Sequence, residues 1–97
     1  MIVSNEPGYY KEGAYGIRIE NLQFVAEPEE IDGGERAMLG FEVLTLAPYE
    51  RRLIDEVMLS DVEREQINAY HARVFAEIGP ELDAGTRAWL DEACAPL

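Results

Sequence analysis

Glu6 and Glu20 are the residues whose type and placement could do chemistry in this chain. Each stands at the mouth of a strand-like run, and a glycine- and tyrosine-rich connection joins the two within SNEPGYYKEGAYGIRIEN, residues 4–21. Carboxylates at the inner ends of neighbouring strands can converge on a hard or borderline divalent cation, and burying them without such a partner costs several kcal/mol. The plainer alternative pairs Glu20 with Arg18 and leaves Glu6 as a solvated turn residue. Spacing alone leaves both open.

The elements around these residues follow from periodicity. Residues 2–5 read as a short strand ended by Pro7-Gly8, which breaks regular structure and turns the chain. Gly13 and Gly16 bracket the rest of the connection, where glycine permits positive φ and close backbone approach. Residues 17–26 are rich in Ile, Leu, Phe and Val and read as a second strand. Its two-residue period puts Arg18, Glu20, Leu22, Phe24 and Ala26 on one face, so two charges continue an otherwise apolar row. The acidic, glycine-containing stretch 27–36 is a hairpin connection, and 38–46, MLGFEVLTL, is a third strand ended by Pro48.

Beyond it, residues 49–59 form a linker with Arg51, Arg52 and Asp55 exposed and Leu53, Ile54, Val57 and Leu59 available to pack. The period then changes. Ser60 and Glu63 match a capping box, and Ile67, Tyr70, Val74, Phe75 and Ile78 follow at three- and four-residue spacing as the apolar stripe of a helix about five turns long. Gly79-Pro80 stops it, and a last helix over 84–94 packs Leu82, Trp89, Leu90 and Ala93 against its predecessor. The fold class is α+β: a small antiparallel sheet of about three strands followed by two C-terminal helices.

Composition bounds the rest. At 97 residues, 47% of them hydrophobic, the chain is one domain or a piece of one. Twenty acidic against eight basic residues give a net charge of −12, which repels a phosphate backbone and excludes nucleic acid as a partner. No apolar run approaches the ~18 residues of a membrane span, and the single Cys94 forms no internal disulfide, so a cytoplasmic location is expected. Met1, Ile2 and Val3 run straight into a strand, as though a sheet were entered part-way, and a fragment of a longer protein is expected. His71, on the helical stripe, and Cys94, with no basic neighbour in sequence, are expected to be structural.

SNEPGYY followed by GIRIEN resembles the C-terminal signature of the pita-bread metallopeptidases, specifically the Xaa-Pro aminopeptidases. LGFEVLTLAPYERRLID and the remainder, with INAYH and AWL, resemble the C-terminal part of the longer, cytosolic branch of that family. The resemblance covers nearly the whole chain. It implies residues 1–47 as the last strands of the catalytic domain and 48–97 as a helical C-terminal extension that takes part in dimer contacts. It also implies a centre of two divalent metal ions, manganese or zinc, with Glu6 a terminal ligand and proton shuttle and Glu20 a bridge. Arg18 then helps to position substrate and Tyr10 contributes a hydroxyl. The implied substrates are peptides with proline at the second position, cut before the proline by a homodimeric enzyme. In that family two aspartates and a histidine ligand precede the glutamates, so this chain alone is expected to be inactive and to bind metal weakly or not at all. Prolidase or creatinase-like enzymes of the same fold, and a non-catalytic binding or dimerisation module built on it, are the alternatives. Retention of both glutamates counts against the last.

Overall fold

The computed structural model describes residues 1–26, 29–30, 37–38 and 40–97. Antiparallel strands come first and two α-helices after them, an α+β arrangement. The chain divides into two compact units, Met1–Thr45 and Leu46–Leu97.

The first unit is built on one long hairpin. Strand β1, Ile2–Asn5, pairs antiparallel with β4, Asn21–Val25, while β2, Gly8–Lys11, pairs with β3, Tyr15–Arg18. Both ladders run in the same register: Asn5 lies opposite Asn21 in one, and Gly8 opposite Arg18 in the other. The expected single strand over 17–26 is therefore broken at Ile19 and Glu20, and Pro7-Gly8 does not turn the chain. Proline is the cause of the break. Ile19 N–H donates to the Pro7 carbonyl at 3.0 Å, but Pro7 has no N–H to return, so the ladder lapses for one step without losing register. The reversal falls instead at Glu12–Ala14, where Ala14 N–H reaches the Lys11 carbonyl at 3.1 Å and Gly13 takes a φ of 71°. Only a residue without Cβ adopts that conformation freely.

Strand β4 also pairs with a later strand, which the expectation placed over 38–46. Two even shorter strands, β5 (Glu29–Glu30) and β6 (Ala37–Met38), pair with each other as the arms of the acidic connection; residues 27–28, 31–36 and Leu39 lie outside those described. Strand β7 is confined to Phe41–Val43 and completes the sheet order β1-β4-β7. Single hydrogen bonds carry its pairing one residue further each way, Ala26 N–H to Gly40 O at 2.9 Å and Leu44 N–H to Leu22 O at 2.7 Å. Apolar side chains on this unit stay in contact with solvent, among them Ile2, Ile17, Ile19, Leu22 and Phe41.

The second unit is organised by α1, Asp61–Ile78. Its start is the expected capping box: Glu63 N–H donates to Ser60 Oγ at 3.1 Å and Ser60 N–H to Glu63 Oε1 at 3.0 Å. A 3-10 turn, Gly79–Glu81, closes it, and Asp83 caps α2, Ala84–Ala93. Val74, Leu90 and Cys94 form the buried core, with Leu46, Tyr70, Phe75, Ile78 and Leu82 packed around it. Trp89 does not join them. It is 60% exposed, because the inward face of α2 is fixed by Leu90 and Cys94, four apart, and Trp89 falls on the flank.

Residues 49–59 also differ from expectation. Two 3-10 turns, Arg51–Leu53 and Glu56–Met58, leave Leu53 and Val57 exposed, Val57 to 93%. Arg51 is half-buried instead, its guanidinium donating to the carbonyls of Ala95 and Pro96 and so fastening the C-terminal residues. Arg52 stays in solvent and forms a bidentate pair with Glu50 at 2.9 and 3.1 Å.

Candidate metal-binding site

Carried through the lapse at Pro7, the hairpin register sets Glu6 opposite Glu20. The bonded pairs of this ladder are the odd-numbered ones, Met1 with Val25 and Pro7 with Ile19. Glu6 and Glu20 thus occupy a non-hydrogen-bonded position, where facing Cα atoms approach to about 4.5 Å and side chains run side by side. Alternation then assigns Glu6, Gly8, Tyr10, Gly16, Arg18 and Glu20 to one face. Like charges directly opposite destabilise a ladder, so a positive partner is required.

Arg18 is that partner here. Its Nη2 lies 2.8 Å from Glu20 Oε2, with the two side chains 50% and 37% exposed. Glu20 first, then Glu6, raises the affinity of the guanidinium for its proton, and a hydrogen bond to Tyr10 adds to this. The hairpin therefore brings together all four residues singled out from the sequence: Glu6, Tyr10, Arg18 and Glu20. The ion pair that spacing alone suggested is present as well. Tyr9 and Tyr15 fall on the opposite face, their rings 6.0 Å apart.

Two residues escaped sequence reasoning as part of this group. A Cβ at Gly16 would lie 2.6 Å from Tyr10 Cδ1, and one at Gly8 would lie 2.8 Å from the Tyr10 hydroxyl. The phenol thus fills the space that a side chain at either glycine would take, and it meets Gly16 with its Cδ1–Cε1 edge. The signal was available, since residues 8, 10, 16 and 18 share parity once the turn is centred on Gly13.

Carboxylate oxygens on this face suit a hard or borderline divalent cation. They make a partial shell: among the described residues no three His, Cys, Asp or Glu side chains cluster as a metal would need. His71 belongs to the other unit, fully buried, and its Nε2 accepts the Tyr49 N–H at 3.0 Å. Cys94 is a buried free thiol whose pKa is pushed up by desolvation and by Asp91. Among the described residues, no helix is long and apolar enough to cross a membrane.

Known proteins are similar to this chain in sequence and in structure. A protein of Arabidopsis thaliana named Aminopeptidase P2 is 46% identical over 99 residues, covering 100% of this chain and 14% of the relative. A probable Xaa-Pro aminopeptidase P of Botryotinia fuckeliana (strain B05.10) is 44% identical over 102 residues, 99% of this chain and 15% of the relative. Among solved structures, the X-prolyl aminopeptidase of Caenorhabditis elegans, described as a cytosolic enzyme with a di-nuclear active site, matches with a TM-score of 0.88 at 35% identity. That match covers 99% of this chain and 16% of that one. The chain thus spans 14–16% of the length of these proteins. The family described as the C-terminal region of peptidase_M24 matches residues 37–97, and the chain belongs to it.

Proposed function

We propose that this chain is the C-terminal part of a dinuclear-metal Xaa-Pro aminopeptidase, which hydrolyses the bond between an N-terminal residue and a following proline. The observation that carries the proposal is the hairpin register, which sets Glu6 across from Glu20 with Arg18 and Tyr10 on the same face. The similarity to named aminopeptidases over nearly the whole chain supports it.

In this proposal Glu6 and Glu20 would hold two divalent ions, manganese or zinc, together with ligands from the rest of the protein. When bound, such ions polarise a carbonyl and lower the pKa of water. Glu20 would be a ligand to both ions, and Glu6, a ligand to one, would also accept on its carboxylate the proton that the attacking water gives up. Arg18 balances the carboxylate charge and orients Glu20, while the Tyr10 hydroxyl orients Arg18. Residues 1–47 belong to the catalytic domain and 48–97 to a C-terminal extension. The whole protein is a cytoplasmic homodimer acting on peptides with proline second, with neither nucleic acid nor membrane as partner, and the charge of −12 on this chain disfavours nucleic acid at its surface.

Grafting this chain in place of the matching segment of the Arabidopsis relative tests the proposal. The graft is expected to cleave an Xaa-Pro tripeptide, and Glu20→Gln within it to lower kcat by ~1,000-fold or more, as loss of several kcal/mol of metal-derived stabilisation requires. Near-unchanged turnover by the Glu20→Gln graft would overturn the assignment. Cleavage of Xaa-Pro dipeptides alone would point to prolidase chemistry instead.

A further inference from the structure

We propose that Gly8 and Gly16 are positioning residues: by leaving the sheet bare on either side of Tyr10, they let its phenol lie along the strands and deliver its hydroxyl to Arg18. In the hairpin Tyr10 is paired with Gly16 and Gly8 with Arg18, so the four residues make two successive steps of one face, and Glu6 with Glu20 make the next. A side chain normally stands roughly perpendicular to its sheet. Tyr10 instead leans across both glycines, with Cδ1 2.6 Å from where a Gly16 Cβ would be and its hydroxyl, Cε2 and Cζ 2.8–3.0 Å from where a Gly8 Cβ would be. That posture carries the hydroxyl over Gly8, the residue directly opposite Arg18 in the ladder, and Arg18 in turn holds Glu20 at 2.8 Å.

The two glycines act on different ends of the ring. A methyl group at position 16 would meet Cδ1 at 2.6 Å, close to the root of the side chain, so the whole ring must rotate away. One at position 8 would meet the hydroxyl at 2.8 Å and displace the tip alone. Neither glycine has a positive φ, so an alanine at either position is compatible with the backbone, and its effect comes through Tyr10. The inference rests on the proposed site, because it gives Tyr10 and Arg18 their purpose, but its test uses neither metal nor substrate.

Nuclear magnetic resonance of the 97-residue chain provides that test. The edge of the Tyr10 ring set against Gly16 shifts the near Hα downfield by ring current, so the two Gly16 Hα resonances are expected to be widely split, and Tyr10→Leu to collapse the splitting. The Arg18 Hε resonance is expected to exchange slowly with water in the unsubstituted chain. Gly8→Ala, Gly16→Ala and Tyr10→Phe are each expected to speed it by a similar factor, with Gly16→Ala adding nothing in the Tyr10→Phe background. Unsplit Gly16 resonances would overturn the proposal, as would splitting that survives Tyr10→Leu or additive effects of Gly16→Ala and Tyr10→Phe on Arg18. Tyr10→Phe and Tyr10→Leu introduce no clash with the glycines, so these measurements decide the matter even where an alanine variant fails to fold. Loss of activity in the graft with these signatures intact would count against the site as assigned, and the posture of Tyr10 would stand.

Discussion

Acidification is expected to loosen the helical unit through His71. The imidazole is fully buried on α1 among the rings of Tyr49 and Tyr70, with centroids 5.8 Å away in each case. Its Nε2 accepts the Tyr49 N–H, and Nδ1 has no hydrogen-bond partner among the described residues. Protonation would turn that acceptor into a donor facing another donor and would bury a charge. Desolvation, and then the nearby positive charge of Arg51, hold the folded-state pKa below the ordinary value. The unfolded chain takes up a proton near pH ~6.5 where the folded one resists it, so stability rises with pH across that window. The contribution is fully present above pH ~6.5 and is lost as pH falls from there toward the folded pKa. Its ceiling is ~1.4 kcal/mol per pH unit, or about 2 kcal/mol between pH 8 and pH 5 where the folded form binds no proton. For a unit this small that is a large share of the total. Urea unfolding followed by Trp89 fluorescence, which reports on the same unit, measures it. His71→Gln, neutral throughout, is expected to flatten the profile between pH 8 and 5. A flat profile for the unsubstituted chain, or an equal slope in His71→Gln, would refute the reasoning.

Ser60→Ala removes the hydroxyl that receives the Glu63 N–H and is expected to cost about 1 kcal/mol in the same urea assay. Leu90→Ala opens the core beside Val74 and Cys94 and should cost ~2–5 kcal/mol; Trp89→Ala, on the exposed flank, is expected to cost far less, which unfolding followed by circular dichroism can compare. Glu50 is held at about 2 by hydrogen bonds from the Arg52 side chain and N–H, so a carboxyl titration by nuclear magnetic resonance should find it there and find it moved upward in Arg52→Gln.

Much of this was legible from local rules. Ser60, Glu63 and Gly79-Pro80 mark the ends of α1 because capping depends on neighbouring atoms. The alternation of 17–26 placed Arg18 and Glu20 on one face correctly even though the strand is broken between them, since Pro7 removes a hydrogen bond without shifting register. What local rules missed was set by partners distant in sequence. Whether Trp89 or its neighbour faces inward depends on where Leu90 meets Val74, and periodicity admits either over so short a helix. Arg51 looked solvated because the carbonyls it binds lie at residues 95 and 96. The role of Gly8 and Gly16 became visible only once the turn was centred at Gly13 and Tyr10 had a direction to lean.

The Arg18–Glu20 pair, which by itself favours the plainer alternative of a structural ion pair, is compatible with a cation site on energetic grounds. Both partners are substantially solvated, and ion pairs of that kind contribute little to stability. A divalent cation held by additional ligands gains far more, so Arg18 does not compete effectively for the carboxylate. Its charge is useful in another way. Glu6 and Glu20 face one another at the closest step of the ladder, and without a positive neighbour their repulsion would favour pushing one carboxylate aside. By pairing loosely with Glu20, and by placing its positive charge near Glu6 as well, Arg18 offsets the repulsion between the two carboxylates that the register sets on one face, at a cost small enough for a stronger cation to reverse.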